Sequence, residues 1–515
     1  MKKILKTLCS ITLLAGCMEL YSSGTFSAVK AIGMGDAYTS LSGDVLSLYY
    51  NPAGIYGGKS FSLSLDVAGR YNFSGGVLGN INEIIDASKK FSKIQEYQKN
   101  GGDIDITQIN ALFNAIKNLN EISSPGKGVL LSLNGGLGVK IKNFGFGVKN
   151  YSIVGLKPTI DTSFYLGTTT VVSPSISRVV SMNKTEGVSI SLSTGAVPSS
   201  LSEEQKKLKD VVDNFLKPEL EKLGVEVPSG LTSEQIANAL INAALAGGVD
   251  PVEIKEAVDK LSDPNFQNLI KSILDQNYTK QVFSKNNSGI LFKGLNITEF
   301  NLSYSQQVFL PELYLGGSLR YLAGTSIYYN FLVFNETEKL DFSNIIEVKN
   351  KLTKNSNAIT LDLGMLYKLP VPVVKTQAGL VVKNIIEPEF EVVNSNEKLK
   401  LPRQITVGIS GELLKFLTVA VDYDLLKTPT FVSGYENQNI SFGGEIKLPV
   451  LSLRGGYIKN LAAESEEMLS LGLGLKIFVL QLDFSFCWDN DILEVDNDKR
   501  FPANGSLGLR VGLEF

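Results

Sequence analysis

The sequence predicts an all-β transmembrane barrel of about 14 antiparallel strands, and three observations carry that prediction. Apolar and polar residues alternate with period two in run after run, up to the last residue. The runs are about 10 residues long, the length a tilted membrane-spanning strand needs. After residue 20 no apolar stretch reaches the roughly 18 residues required of a transmembrane helix.

The alternation is clearest from residue 357 onward. Ile359, Leu361, Leu363, Met365, Tyr367 and Leu369 share one face against Thr360, Asp362, Gly364 and Lys368. Runs at 405–413, 417–424, 440–448, 469–477, 480–488 and 507–515 repeat the pattern. Successive side chains point to opposite faces of a strand, so each run has one apolar face and one face of Gly, Ser and charges. A soluble sandwich would give the same alternation with the apolar face turned inward. Globular strands usually hold about 5 or 6 residues, however, and these runs are longer. The connections also alternate: tight at 414–415, around Pro449 and at 476–479, long at 385–402 and 489–503. Short turns at one end and long loops at the other are the porin arrangement.

Earlier runs obey the same rule at 61–71, 129–140 and 144–148, and near 297–308, 311–323, 373–384 and 450–457. The count is about 14 if 159–194 is a loop-associated hairpin and about 16 if that stretch spans; both keep the even parity of a barrel. Two blocks break the period, at 76–125 and 196–286, with apolar residues at helical spacing. In the second block Leu208, Val211, Val212, Phe215, Leu216 and Leu220 form a stripe. Ser202 with Gln205, and Thr232 with Gln235, have the spacing of capping boxes, while Asp250 precedes Pro251 and Glu253. Strand parity puts both insertions on the extracellular side, either as a cap packed on itself or as a partner-docking surface.

Composition narrows the function. The 515 residues include no His, and 49 Lys plus Arg stand against 52 Asp plus Glu. No imidazole chemistry, His-ligated metal or Ser-His-Asp system is possible, and no basic excess suggests nucleic acid. Three cysteines, two within the first 17 residues, give neither a disulfide framework nor a four-cysteine metal site. No enzymatic activity, cofactor or metal is expected.

Lys2, Lys3 and Lys6 followed by Leu8–Leu14 make residues 1–17 an export signal. Its end has two readings: Leu14-Ala15-Gly16-Cys17 matches a lipobox, in which Cys17 is acylated, and it also suits ordinary cleavage with an incidental cysteine. The inward positions carry charges of both signs: Asp66, Arg70, Arg320, Asp362, Asp422, Glu445, Arg454, Lys476, Asp483 and Arg510. They suggest a solvated lumen or contacts to a plug, not a one-sign selectivity ring. Asp422 and Asp424 share a strand face and are read as lumen polarity, and Arg510→Ala, facing the lumen, is expected to impair insertion little.

Between the export signal and the first strand lie Ala31-Ile32-Gly33-Met34-Gly35-Asp36-Ala37, then Asp44, then Asn51-Pro52-Ala53-Gly54. This segment resembles the opening of the FadL-like superfamily of outer-membrane barrels. Val382-Lys383-Asn384, Leu401-Pro402-Arg403-Gln404 and Arg454-Gly455-Gly456-Tyr457 look most like its conjugal-transfer TraF-like branch, with PorV-like secretion accessory barrels as near relatives. The resemblance covers 24–75 and 290–515. It implies that residues 18–58 form a hatch inside a barrel of residues 59–515, with Gly33 and Gly35 allowing tight turns and Pro52 setting the approach to strand one. The ending Val511-x-Leu513-x-Phe515 resembles the C-terminal signal read by the barrel-assembly machinery. The implied setting is the outer membrane, with its lipid and that machinery as partners. The implied function is passive transport of a hydrophobic or amphipathic small molecule. The alternative is a structural accessory of a conjugation or secretion apparatus, in contact with its envelope components. The helical blocks match nothing in the fatty-acid transporters.

Overall fold

A computed structural model describes residues 28–74, 123–159, 199–218, 232–246, 250–264, 267, 287–332, 352–393, 395–463, 466–496 and 499–515. Fourteen antiparallel strands close into one barrel in strict sequence order. They are β1 Phe61–Ser74, β2 Gly128–Ile141, β3 Phe144–Thr159, β4 Gly289–Gln307, β5 Leu313–Leu332, β6 Thr353–Leu369 and β7 Val374–Lys383, then β8 Gln404–Leu413, β9 Leu417–Asp424, β10 Asn439–Lys447, β11 Leu451–Asn460, β12 Glu467–Ile477, β13 Leu480–Asp489 and β14 Asn504–Glu514. The predicted barrel class is borne out, with 14 strands rather than 16. Of the stretch 159–194, all beyond Thr159 lies outside the described residues.

Closure joins β1 to β14 in register, from Ser62 opposite Glu514 to Asn72 opposite Asn504. Phe515 extends the seam by donating its N–H to Phe61 O at 3.0 Å. Closure matters because an open edge within hydrocarbon would leave backbone groups unsatisfied, at several kcal/mol each. The apolar face points outward: Leu65, Phe146, Phe300, Leu363, Leu471 and Leu509 are all exposed large hydrophobics. The opposite face, including Ser62, Ser64, Asp66, Asp483 and Arg510, is buried. An apolar exterior around a polar interior is the inverse of a soluble sandwich and the signature of a transmembrane barrel.

The wall is uneven. Strands β4, β5 and β6 have 19, 20 and 17 residues, whereas β9 and β10 have 8 and 9. All long connections leave one mouth. Two of them fold back inward. The hairpin Glu389–Glu391 with Lys398–Lys400 buries Phe390 against Gly324. The connection 425–438 crosses to the far wall, where Ser433 O accepts the N–H of Gly126 at 3.1 Å and Lys157 Nζ at 2.9 Å.

The described residues of the second insertion hold helices α3 Ser202–Val211, α4 Ser233–Ala246 and α5 Pro251–Ser262, which follow two short helices nearer the N-terminus, α1 Val29–Gly33 and α2 Ser47–Tyr50. Leu208, Val211, Phe215, Ile241, Ile254 and Val258 pack into its own core. The Thr232–Gln235 capping box forms, with Gln235 N donating to Thr232 Oγ1 at 3.2 Å and Thr232 N to Gln235 Oε1 at 2.8 Å. Asp250 caps α5 through Val252 N at 2.8 Å. The Ser202 cap does not form. A 3-10 turn over Ser199–Leu201 runs directly into α3, which puts Leu201 at the cap position and Ser202 inside the helix. Leu220, the expected insertion 76–125 up to residue 122, and residues 1–17 with Cys17, read from the sequence as an export signal, lie outside the described residues.

Candidate functional site

Residues 28–58 lie inside the barrel and fill its middle. Helix α1 (Val29–Gly33), helix α2 (Ser47–Tyr50) and a 3-10 turn (Pro52–Ile55) are joined by tight turns. Ala31, Met34, Tyr38, Leu46, Tyr49 and Ile55 form a buried cluster among themselves, so the segment carries its own small core. This is how 31 residues can sit in a polar lumen: many apolar side chains face each other, while others such as Ile32 and Leu48 meet small or apolar patches of the wall.

Lumen-facing glycines make room for that backbone. A Cβ at Gly316 would collide with Pro52 and Ala53, one at Gly364 with Asn51 Oδ1, one at Gly443 with Met34, and one at Gly456 with Met34 and Gly35. The two predicted glycines work differently from each other. Gly35 sits at φ +61°, the turn geometry that favours glycine. Gly33 is helical, and what it supplies is close approach, since a Cβ there would lie 3.0 Å from Gly472 Cα and 2.7 Å from Ser485 Oγ. Pro52 also departs from its expected role. It starts the 3-10 turn against β5 and β6, and strand one begins only at Phe61.

Asn51 knots the segment together. Its Oδ1 accepts Ala53 N at 3.1 Å, and its Nδ2 donates to Thr39 O at 2.9 Å and to Met365 O of β6 at 3.1 Å. Ala53 O accepts Ser305 Oγ at 2.9 Å, and Gly54 O accepts Gly43 N at 2.7 Å.

The predicted inward charges divide into three groups. The first holds the inner segment. Arg510 Nη1 donates to Asp483 at 2.7 Å, while its Nη2 lies 3.7 Å from Asp44 and its Nε 3.9 Å from Asp66; Asp66 accepts Val29 N at 3.3 Å. Arg454 extends this cluster, bonding Asp483 at 2.8 Å and Glu445 at 2.9 Å. Arg70 meets Asp36 at 3.2 Å. Asp422 accepts the N–H groups of Tyr38 and Thr39, both at 2.8 Å. The second group reinforces the wall: Arg320 binds Glu299 at 2.7 Å, Asp362 at 3.0 Å and Asn384 at 2.8 Å. Lys476 stands alone in the third, half-exposed at the tight-turn rim and 3.7 Å from Glu514. Of the two readings of these charges, a solvated lumen or contacts to a plug, the first group follows the second: its members meet the inner segment or one another as buried ion pairs and hydrogen bonds. Asp422 is an anchor and not general lumen polarity, whereas the Asp424 carboxylate, among the described residues, is hydrogen-bonded by Thr406 and by Asn439 N and not by the inner segment.

Three charged residues of these pairs, Lys30, Asp44 and Glu299, receive no role from sequence reasoning. Lys30 and Asp44 of the inner segment pair at 2.7 Å, and Glu299 on β4 binds both Arg320 and Lys149. Glu299 was visible as a charge within an alternating run; nothing in the sequence marks its partners. Burial would raise the Asp44 carboxyl, but Lys30 and Arg510 beside it hold it well below the usual carboxylate range.

The inner segment separates two cavities. One of about 470 Å³ opens at the tight-turn mouth and is lined by Lys30, Asp44, Glu445, Arg454 and Asp483. The other, about 200 Å³, lies between the segment and the inward loops, with Leu130, Ile153 and Phe431 beside Asn72, Thr406 and Asp422. The connection 425–438 roofs it, and Tyr435 Oη there bonds Glu466 and accepts Asn72 Nδ2 at 2.6 Å.

A family model described as "F plasmid transfer operon, TraF, protein" matches residues 48–424, from helix α2 through β9. The chain belongs to this TraF family. No curated protein sequence matches this TraF-family chain. Solved structures to which it is similar include the Ralstonia pickettii toluene transporter TbuX, at 11% identity and TM-score 0.41, covering 96% of this chain and 99% of that one. A Pseudomonas aeruginosa FadL homologue gives 8% identity and TM-score 0.42, with 96% and 99% covered. The Pseudomonas putida toluene transporter TodX gives 10% and 0.38, with 96% and 98% covered.

Proposed function

We propose that this protein is an outer-membrane barrel through which a small hydrophobic or amphipathic molecule passes by diffusion, with residues 28–58 as a hatch. The observation that carries this reading is the pair of cavities, about 470 and 200 Å³, that share one lumen and are parted only by the hatch. Displacing hatch residues joins them. The mixed wall of the smaller cavity, apolar at Leu130, Ile153 and Phe431 and hydrogen-bonding at Asn72 and Thr406, suits a molecule with both characters. In this reading the tight turns face the periplasm and the long connections face outward.

The test locks the hatch. Ser42 Oγ of the hatch donates to Gln377 Oε1 of β7 at 2.7 Å, and both line the cavity at the tight-turn mouth, so in a Ser42→Cys/Gln377→Cys variant a short bis-methanethiosulfonate cross-link ties the hatch to β7. Uptake of alkylphenols by cells carrying it is expected to fall and to recover with reductant. Equal uptake in both states would refute gating by the hatch.

A second reading, a structural accessory of a conjugation apparatus, is favoured by the family description and by the helical unit α3–α5, which has its own core. Excising 196–286 is then expected to abolish co-purification of envelope proteins while the barrel still assembles. Retained co-purification would count against it.

A further inference from the structure

Five of the six tight turns, at 308–312, 370–373, 414–416, 448–450 and 478–479, carry exposed large hydrophobics; the sixth, 142–143, is Lys142-Asn143. Phe478 and Phe309 are 90% and 88% exposed, Val373 76% and Leu414 69%. Turns in water are normally built from Gly, Asn and Asp, above all where φ is positive. Here Val373, Leu414 and Phe478 occupy φ of 72°, 50° and 56°. A β-branched or bulky side chain at such angles is disfavoured, so the apolar tips stand against local preference.

We infer that the tight-turn rim is a lipid-binding collar, with its apolar tips sunk into the interfacial layer of the adjoining leaflet and its free lysines taking the phosphates of anionic phospholipid. Three observations favour lipid over a protein partner. The tips are continuous with the lipid-facing belt, Phe478 following Ile477 and Val450 following Leu448, all exposed. They are spread around the rim on β4–β13 and not gathered in one sector. The belt also needs them. On β5 the exposed large apolar residues end at Tyr321, beyond which come Ala323 and then Thr325, which bonds Asn355 at the start of a polar collar. From Leu313 to Tyr321 the strand climbs only about 20 Å along the membrane normal, at about 3.3 Å per residue and about 40° of tilt. A barrel belt is about 25 Å tall, so the remaining depth falls on the turns.

Charge agrees. Glu312, Glu412 and Glu514 at this rim are each paired with lysine. Exposed Lys59, Lys142 and Lys415 have no carboxylate within ion-pair distance among the described residues. The surplus at the rim is cationic, and each lysine near an anionic surface contributes about 1 kcal/mol.

The test uses the full-length protein in vesicles of equal parts phosphatidylcholine and phosphatidylglycerol. Phe478→Trp and Leu414→Trp, each in a Trp488→Phe background, place a single reporter in two sectors of the rim. Lipids brominated near the headgroup are expected to quench both reporters, and iodide present on both sides of the membrane is expected to quench neither. Brominated phosphatidylglycerol should quench better than brominated phosphatidylcholine, and Lys415→Gln should reduce that preference about fivefold at Leu414→Trp. Quenching by iodide at either tip, or equal quenching by the two lipids, overturns the proposal. Heat-modifiable migration shows that each reporter sits in a folded barrel, and Phe309→Trp replaces any reporter that does not fold.

Discussion

Arg510 and Asp483 are direct cross-strand neighbours on β14 and β13, joined at 2.7 Å, and their side chains are 0% and 2% exposed. The pair sits beside the closing seam and beneath the inner segment, so one contact serves both wall and interior.

Arg510→Ala is therefore expected to be costly, contrary to the tolerance expected of a residue in an open lumen. It leaves Asp483, Asp66 and Asp44 facing one another without their shared cation. Breaking a buried ion pair by removing one partner costs about 3–5 kcal/mol. Urea unfolding followed by heat-modifiable migration should show a marked loss of stability. An unchanged midpoint would mean that water reaches the cluster.

Asp422→Asn should loosen the inner segment without opening the wall. The substitution removes the charge from two hydrogen bonds to Tyr38 N and Thr39 N, and bonds to charged groups are worth about 1.5–3 kcal/mol. Amide exchange is expected to accelerate at 38 and 39 while β8–β10 stay protected. Asp424→Asn, one step along the same face, should leave exchange at 38 and 39 unchanged.

Acid should act through Asp44. Its folded-state pKa lies below the ordinary 3.8, so its stabilisation is fully present above that value and is lost as pH falls through the depressed one. Between about pH 5 and 8 the wild type and Asp44→Asn are expected to differ by a constant amount, with the gap closing only below about pH 4. Stability measured across this range decides the matter; a gap that narrows near neutrality would contradict the assigned direction.

Removing Phe515 should slow insertion more than any loop deletion. It takes away the hydrogen bond to Phe61 O at 3.0 Å and a ring contact with Phe61 at 5.7 Å between centroids. The readout is the fraction of heat-modifiable, membrane-embedded protein after a fixed assembly time. A normal yield would leave the terminal aromatic without a role in closure.

Much of the fold was legible because alternation is a local covalent property. Each residue turns its side chain to the opposite face from the one before, so the period alone sorts Leu471 outward and Ser470 inward. Closure of β14 on β1 and the tight-turn end follow from run length and parity, whereas the choice between 14 and 16 strands was decided only by the direct pairing of β3 with β4. The period is silent about contents. It marks Asp422 and Asp424 alike, yet only Asp422 holds the inner segment, because its position on β9 is level with Tyr38. It reads inward glycines as a small polar face, when Gly316, Gly364, Gly443 and Gly456 are the footprint of a second backbone. It also could not join Gly35 to Ser470, 435 residues away, or Arg510 to Asp44. Those contacts depend on barrel shear and on the docked path of residues 28–58. Both are set by packing between residues far apart in the chain, which no local pattern encodes, and so the tertiary structure alone decided which charges meet, which cavities remain and what divides them.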